Sequence, residues 1–196
     1  LAVYVLSFSP DSRFLASADE EGAVRLWNIP EGSGSLLGRH AGNVRGLTFA
    51  QAESGPVLVS AGYDGVVRLW DYRNPEAPPV VLRGHDGAIN LLATPASASA
   101  APSDLVVTAG YDHSLRVWRM TSRAAEPNRV LSIGRPVADV LVTADEKLLV
   151  AAVDGPAVEL WDIQSGELLP RLAQTAEPVA AMMLSSDGRR LWTGDQ

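Results

Sequence analysis

Residues 59–72 read VSAGYDGVVRLWDY, and this stretch contains the pattern that predicts the fold. An apolar run leads into Ser60, a turn follows at Asp64-Gly65, and a second apolar run ends at Trp70. Short runs rich in Val and Leu, bounded by turn residues, are typical of β-strands. Because Asp-Gly tolerates the positive φ angles of a tight hairpin, the two runs should pair as antiparallel strands.

The same pattern recurs along the chain. The segments AVRLWNI, VVRLWDY, SLRVWRM and AVELWDI place tryptophans at Trp27, Trp70, Trp118 and Trp161, about 43 residues apart. The step to Trp118 is longer because of PASASAAPS at 95–103, which we expect to be a surface loop within one turn. Two apolar runs precede each Trp segment and a shorter one follows it, so each copy should contain four strands.

Four-stranded antiparallel units of this length are the blades of a β-propeller, so the predicted fold class is all-β. The blades are predicted at about residues 1–38, 39–83, 84–133 and 134–173, with a partial fifth at 174–196. The fifth copy stops before a Trp segment, so we expect an incomplete ring whose remaining blades come from flanking sequence. Trp192 aligns with Val59 and Val107, and we expect it in the core of the fifth blade.

With these repeats the chain resembles the WD-repeat family over essentially its whole length, as about four and a half repeats. The resemblance rests on Gly84-His85, Trp70-Asp71, Trp161-Asp162 and the Ser-x-x-x-Asp and Thr-x-x-x-Asp segments at 60–64 and 108–112. It implies a hydrogen-bonded network in each blade, built from His, Ser or Thr, Asp and Trp. The implied networks are His40, Ser60, Asp64 and Trp70 in the second blade, His85, Thr108, Asp112 and Trp118 in the third, and Ser17 with Trp27 in the first.

The fourth copy departs from that pattern. Gly134-Arg135 stands where Gly-His is expected, and Ala151 replaces the hydroxyl residue, so that Trp161 and Asp154 remain. We therefore expect this blade to pack by shape and to be less firmly held by polar contacts. Each network Trp should be buried, with its indole N–H bonded to an acceptor.

His40, Ser60 and Asp64 also have the composition of a hydrolase triad. An active site is normally built once, whereas this set recurs with the repeat, and no Gly-x-Ser-x-Gly elbow surrounds Ser60. We therefore predict no catalytic residue and no enzyme activity. The chain has no Cys, and its three His residues show no metal-ligand spacing. Since no phosphate-binding glycine motif occurs either, no metal and no cofactor is predicted.

The resemblance also implies a partner-binding face, where the innermost strands begin and the turns between the second and third strands emerge. The side chains expected there are Tyr4, Arg45, Asn90, Tyr63 and Tyr111. Arg and Tyr dominate interface hot spots, although the two turn tyrosines could instead pack between blades. The predicted function is a non-catalytic protein-interaction platform, a scaffold or sensor module for a protein or peptide partner. The alternatives are a propeller enzyme with a site in the central channel and a nucleic-acid adaptor.

Charge and hydropathy bear on those alternatives. The formal net charge is −7, and the Lys and Arg residues are scattered, so the field of the chain disfavours a nucleic-acid partner. No apolar run reaches the length of a membrane span, and no membrane association is expected. The absence of Cys is compatible with a cytoplasmic location. The chain begins at Leu1 rather than Met, and we expect its natural start to lie upstream.

Overall fold

A computed structural model describes residues 2–95, 103–120, 127–170, 173–185 and 188–195. In these residues the secondary structure consists of strands, so there is no helix that could cross a membrane. The first two sheets contain β1 (Val3–Phe8), β2 (Phe14–Asp19), β3 (Ala23–Asn28) and β4 (Ser33–Arg39), then β5 (Val44–Ala52), β6 (Gly55–Gly62), β7 (Val67–Trp70) and β8 (Val80–Leu82). The third contains β9 (Ile89–Ala93), β10 (Leu105–Gly110), β11 (Ser114–Arg119) and β12 (Arg129–Ser132).

The fourth sheet contains β13 (Val137–Val142), β14 (Leu148–Val153), β15 (Ala157–Asp162) and β16 (Ala173–Gln174), and the fifth contains β17 (Val179–Leu184) and β18 (Leu191–Asp195). In every sheet the strands lie in chain order, and neighbouring strands pair antiparallel. The prediction of four-stranded antiparallel blades is confirmed. We call the five sheets blades I to V.

The innermost strands of successive blades contact one another, β1 with β5, β5 with β9, β9 with β13, and β13 with β17. The blades therefore fan out around a common axis, as in a propeller, and the five together form an arc that does not close into a ring.

The hydrophobic core lies in layers between neighbouring blades. Alternate residues of one strand face opposite sides of its sheet, so each blade contributes to two layers. In blade II, Leu58 and Trp70 pack against blade I, whereas Val59 and Val67 pack against blade III. The same alternation builds the layers between blades III and IV and between blades IV and V. Each central blade is thus covered on both faces.

Two tryptophans depart from the expected burial. Trp70 and Trp118 are 4% and 2% exposed, but Trp27 is 41% exposed and Trp161 is half-buried. Each network Trp packs on the blade that precedes its own, and among the described residues no blade precedes blade I. Trp192 was expected in a core, yet it is 51% exposed. It occupies a position that faces the following blade, and the described chain has none after blade V.

Candidate functional site

Blade II contains a chain of hydrogen bonds that joins two of its strands, β6 and β7, the turn between them and the loop before β5. Trp70 Nε1 donates to Ser60 Oγ over 2.8 Å, and Ser60 Oγ lies 2.7 Å from His40 Nε2. On the other side of the ring, His40 Nδ1 lies 2.8 Å from Asp64 Oδ1. With a neutral His40 protonated on Nδ1, the Ser60 hydroxyl accepts from the indole and donates to Nε2, and Nδ1 donates to Asp64.

Blade III repeats this geometry. Trp118 Nε1 donates to Thr108 Oγ1 over 2.9 Å, and Thr108 Oγ1 lies 2.8 Å from His85 Nε2. His85 Nδ1 lies 2.9 Å from Asp112 Oδ2, which also accepts from the backbone N–H of Asp86 over 3.0 Å. Each network ties the loop before the innermost strand to the two strands behind it. Because its members are buried and paired, each network orders its blade.

Burial of these networks changes their titration. Burial lowers the pKa of His40 and of His85, and the neighbouring aspartates offset that effect only in part. Burial alone would raise the pKa of Asp112, but the bonds from Ser114, Asp86 and His85 outweigh it and lower this pKa to about 2. For Asp64, the bonds from His40 and Arg68 likewise outweigh burial and hold the pKa well below its usual range. Neutral histidines thus face ionised aspartates.

The network of blade II also has the connectivity of a catalytic triad, with a hydroxyl, an imidazole and a carboxylate in line. Ser60 and Thr108 are both 0% exposed, and the side chains of His40 and His85 are fully buried. Each hydroxyl is already occupied by the imidazole and the indole of its own blade. A substrate therefore has no access to either hydroxyl, and the arrangement serves the packing of the blade.

Blade IV replaces this network with a different one. Arg135 donates to Oε1 of Glu159, and Trp161 Nε1 donates to Oε2 of the same carboxylate over 3.2 Å. Glu159 is buried and lies on β15. The expectation that this blade packs by shape with little polar support is therefore wrong. The acid at Glu159 supplies the acceptor that Ala151 cannot.

Glu159 stands at the position that Arg68 and Arg116 occupy in blades II and III, two residues before the Trp. In those blades the Arg donates to the turn aspartate, as Arg68 Nη1 does to Asp64 Oδ2 over 2.7 Å. Blade IV thus has an Arg where blades II and III have a His before the innermost strand, and an acid where they have an Arg on the third strand. The sequence analysis missed Glu159, although an acid in the segment AVELW was the available signal.

Three of the residues expected at the partner-binding face, Tyr4, Arg45 and Asn90, share one backbone feature. In every blade the pairing of the first and second strands shifts at the second residue of the innermost strand, which forms a β-bulge. The bulge residues are Tyr4, Arg45, Asn90, Ala138 and Ala180. Because a bulge redirects a side chain away from the regular pleat, these positions point out of the sheets at one end of the axis.

Four of the expected side chains form one cluster, which we call the Arg45 cluster. The guanidinium carbon of Arg45 lies 3.9 Å from the centre of the Tyr4 ring and 5.8 Å from that of Tyr63. The Tyr63 and Tyr111 rings meet edge to face at 5.9 Å, and their hydroxyl oxygens are 3.4 Å apart. Cation–π contacts at exposed sites contribute about 0.5–1 kcal/mol each, so the cluster is ordered while remaining exposed.

The Arg45 cluster draws on three blades, since Tyr4 comes from blade I, Arg45 and Tyr63 from blade II, and Tyr111 from blade III. Tyr4 is 42% exposed and Tyr111 is 54% exposed. The geometry does not favour the alternative in which Tyr63 and Tyr111 only pack between blades. Their rings do meet across a blade boundary, but the Tyr111 ring also faces solvent. Asn90 occupies its bulge position half-buried, outside these ring contacts.

Metal binding has no support in the described ranges, where no group of three or more His, Asp or Glu side chains is arranged to hold an ion. Between blades III and IV, an open groove of about 400 Å³ is lined by charged residues, among them Arg119, Glu146 and Asp162. The Arg119 guanidinium binds Asp104 and Glu146, so its charge is already compensated within the protein.

The fold and the repeated networks define a β-propeller repeat protein. A family model for the WD domain, G-beta repeat, matches residues 1–28, 34–71 and 77–119, which together exceed half of the chain. The chain therefore belongs to the WD-repeat family.

Three curated relatives illustrate this membership. Nuclear distribution protein PAC1-1 from Uncinocarpus reesii is 33% identical over 168 residues, which is 85% of this chain and 36% of that protein. Ribosome biogenesis protein YTM1 from Coccidioides immitis is 31% identical over 47% of this chain and 21% of its own length. WD repeat and SOCS box-containing protein 1 from Danio rerio is 38% identical over 40% of this chain and 18% of its own length. The chain thus spans about a third or less of these relatives.

Proposed function

We propose that this chain is a protein-interaction platform that binds a protein or peptide partner through the Arg45 cluster. The observation that supports it is the convergence of Tyr4, Arg45, Tyr63 and Tyr111 from three blades into one exposed patch. Asn90, the bulge residue of blade III, extends this surface at the same end of the axis. Side chains far apart in sequence thus form a continuous surface, as a binding site requires.

The chemistry of the patch suits recognition. Tyr and Arg offer large contact areas together with directional donors, and both are enriched among residues that dominate binding energy. Contacts within the cluster hold these side chains before a partner arrives, which lowers the entropy cost of association. The relatives include proteins named for nuclear distribution and for ribosome biogenesis, and these support a protein-interaction scaffold role in general.

The proposal includes the absence of catalysis. The hydroxyl, imidazole and carboxylate sets of blades II and III are enclosed and fully bonded, so they offer no reactive group to solvent. Within the described residues, no group of three or more His, Asp or Glu side chains is arranged to hold a metal ion. We also propose a cytoplasmic location, which rests only on the absence of Cys.

The proposal is tested by quantitative affinity capture with the chain as bait. Arg45→Ala and Tyr111→Ala should each weaken capture of the same partner by about 1–2 kcal/mol or more, while the melting temperature stays nearly unchanged. Arg13→Gln is the matched control, since Arg13 is an exposed cation in the β1–β2 turn, at the opposite end of the strands. A partner lost equally in all three variants, or retained in all three, would contradict the proposed face.

A second control uses the segment that joins β9 to β10. We expect the Ser97–Ser103 loop to emerge at the face opposite the Arg45 cluster, because it connects the other ends of these strands. Residues 96–102 lie outside the described part of the structure. Substitutions in this loop should leave capture intact, and loss of the partner in loop variants alone would move the site to that opposite face.

A further inference from the structure

Arg45 differs from the arginines buried near it, because its charge has no compensating acid. Arg68 and Arg116 donate to Asp64 and Asp112. In the part of the chain that the structure describes, no carboxylate oxygen lies within 4.0 Å of the Arg45 guanidinium. The exposed cation is instead held against the face of the Tyr4 ring at 3.9 Å. A ring face orients the guanidinium without neutralising it, so the N–H groups at its edge stay available.

The neighbouring phenols add further donors. Of the two hydroxyls of Tyr63 and Tyr111, one donates to the other, and the accepting hydroxyl keeps its own hydrogen for another acceptor. Asp64 and Asp112, the nearest acids in sequence, are engaged by His40 and His85 and by the arginines beside them. The Arg45 cluster therefore presents several N–H and O–H donors with a positive charge, and no carboxylate belongs to it.

This set of donors favours a ligand with a negative charge. A guanidinium with a phenolic O–H beside it matches the oxygens of a carboxylate, and charge-assisted bonds of this kind are about twice as strong as neutral ones. A ligand cation would have to displace Arg45 from the Tyr4 ring and would meet its like charge. Because Debye screening at physiological salt acts over about 8 Å, the net negative charge of the chain does not abolish this local preference.

We propose that Arg45, with the free hydroxyl hydrogen of the Tyr63–Tyr111 pair, binds the carboxylate of an Asp or Glu side chain in an acidic peptide of the partner. This inference rests on the proposed function, since it assigns a ligand chemistry to the same surface. Arg45 supplies paired N–H donors to the two oxygens of the carboxylate. Tyr111 supplies an O–H donor, and the Tyr4 ring keeps the guanidinium in place.

The test begins with a library of random peptides displayed on phage, selected in parallel on the chain and on its Arg45→Gln variant. Peptides enriched on the parent chain alone should share an Asp or Glu. One such peptide is then synthesised with that residue unchanged, as the amide (Asn or Gln), or as phosphoserine. The amide form should bind the parent about tenfold more weakly.

Combining protein variants with the acidic and amide peptides tests whether Arg45 contacts the carboxylate of the peptide. Arg45→Gln should weaken the acidic peptide about tenfold and should bind the acidic and amide peptides equally. Tyr111→Phe should give a smaller loss that also disappears with the amide peptide, because only the hydroxyl is removed. Arg13→Gln should bind as the parent does.

The two proposals fail in different ways. If Arg45→Gln abolishes binding but the amide peptide binds as well as the acid, the carboxylate assignment is overturned and the face stands. Enrichment of Lys- or Arg-containing peptides, or binding of the phosphoserine form alone, overturns it too. If no peptide distinguishes the parent from Arg45→Gln, the face and its assigned ligand both fall.

Discussion

Arg135 and Glu159 form an ion pair in blade IV, at the positions where blades II and III have a His and an Arg. Glu159 is buried, whereas the Arg135 side chain is 38% exposed. The pair therefore combines one desolvated acid with a base that reaches solvent, and Trp161 provides the second bond to that acid. A blade that lacks the His and the hydroxyl is held by these contacts instead.

The pair should be energetically coupled. Arg135→Ala leaves Glu159 buried with a lone indole donor, and we expect it to lower the free energy of unfolding by about 1–3 kcal/mol. Glu159→Gln removes the buried charge, so the double variant should lose less than the two single losses added together. Urea denaturation of the four proteins measures the coupling. Strictly additive losses would show that the pair contributes nothing to blade IV.

Trp70 and Trp27, which differ strongly in burial, should also differ in their contribution to stability. Trp70→Ala leaves a cavity between blades I and II and removes one of the two hydrogen bonds of the Ser60 hydroxyl, for an expected loss of about 3–5 kcal/mol. Trp27→Ala removes a side chain that is 41% exposed, and its expected cost is about 1–2 kcal/mol. Chemical denaturation compares them. Equal losses would contradict the account of burial by the preceding blade.

Gly38 lies under the Trp70 ring, and a Cβ added there would come within 2.7 Å of two ring carbons. Gly38→Ala should therefore displace the indole and cost about 1–3 kcal/mol. In Gly194→Ala the new Cβ would meet only a carbonyl oxygen at 4.0 Å, which makes it a matched control with little expected effect. Thermal melts and the Trp fluorescence maximum provide the readout. Unchanged fluorescence and stability in Gly38→Ala would be incompatible with this packing.

Acid should weaken the protein before its aspartates titrate. The folded-state pKa values of His40 and His85 are lowered below the unfolded value of about 6.5, so the unfolded chain binds more protons just below that pH. The stability that depends on neutral His is present above about pH 6.5 and is lost as the pH falls through it. Urea denaturation as a function of pH measures this slope.

Two variants test whether His40 and His85 cause this pH dependence of stability. His40→Gln with His85→Gln should flatten the dependence between about pH 7 and about pH 5, although the protein is less stable throughout. His113→Asn is the control, because His113 is exposed with a φ of 58°, a conformation that Asn tolerates. It should keep the slope of the parent, and a flattened slope in this variant would remove the buried histidines as its cause.

The sequence by itself determined the architecture of this protein. Strand periodicity is local, because the side chains of a strand alternate faces whatever surrounds them, and turn residues mark where the chain reverses. Repetition of one pattern around Ser60 and Trp70 therefore predicted antiparallel four-stranded blades. The set of residues that meet in each full network could be inferred from family resemblance, since it recurs in the same order in the second and third copies.

Only the tertiary structure decided what covers each residue. Trp27 and Trp70 occupy equivalent sequence positions, yet one is exposed and the other buried, because burial depends on a neighbouring blade rather than on the strand itself. From the sequence alone, Glu159 would be taken for a surface acid. The structure places Arg135, from the loop before β13, beside it. The contact of Arg45 with Tyr4 likewise requires the packing of blade I on blade II, since a distance between strands of different sheets is set by the core between them.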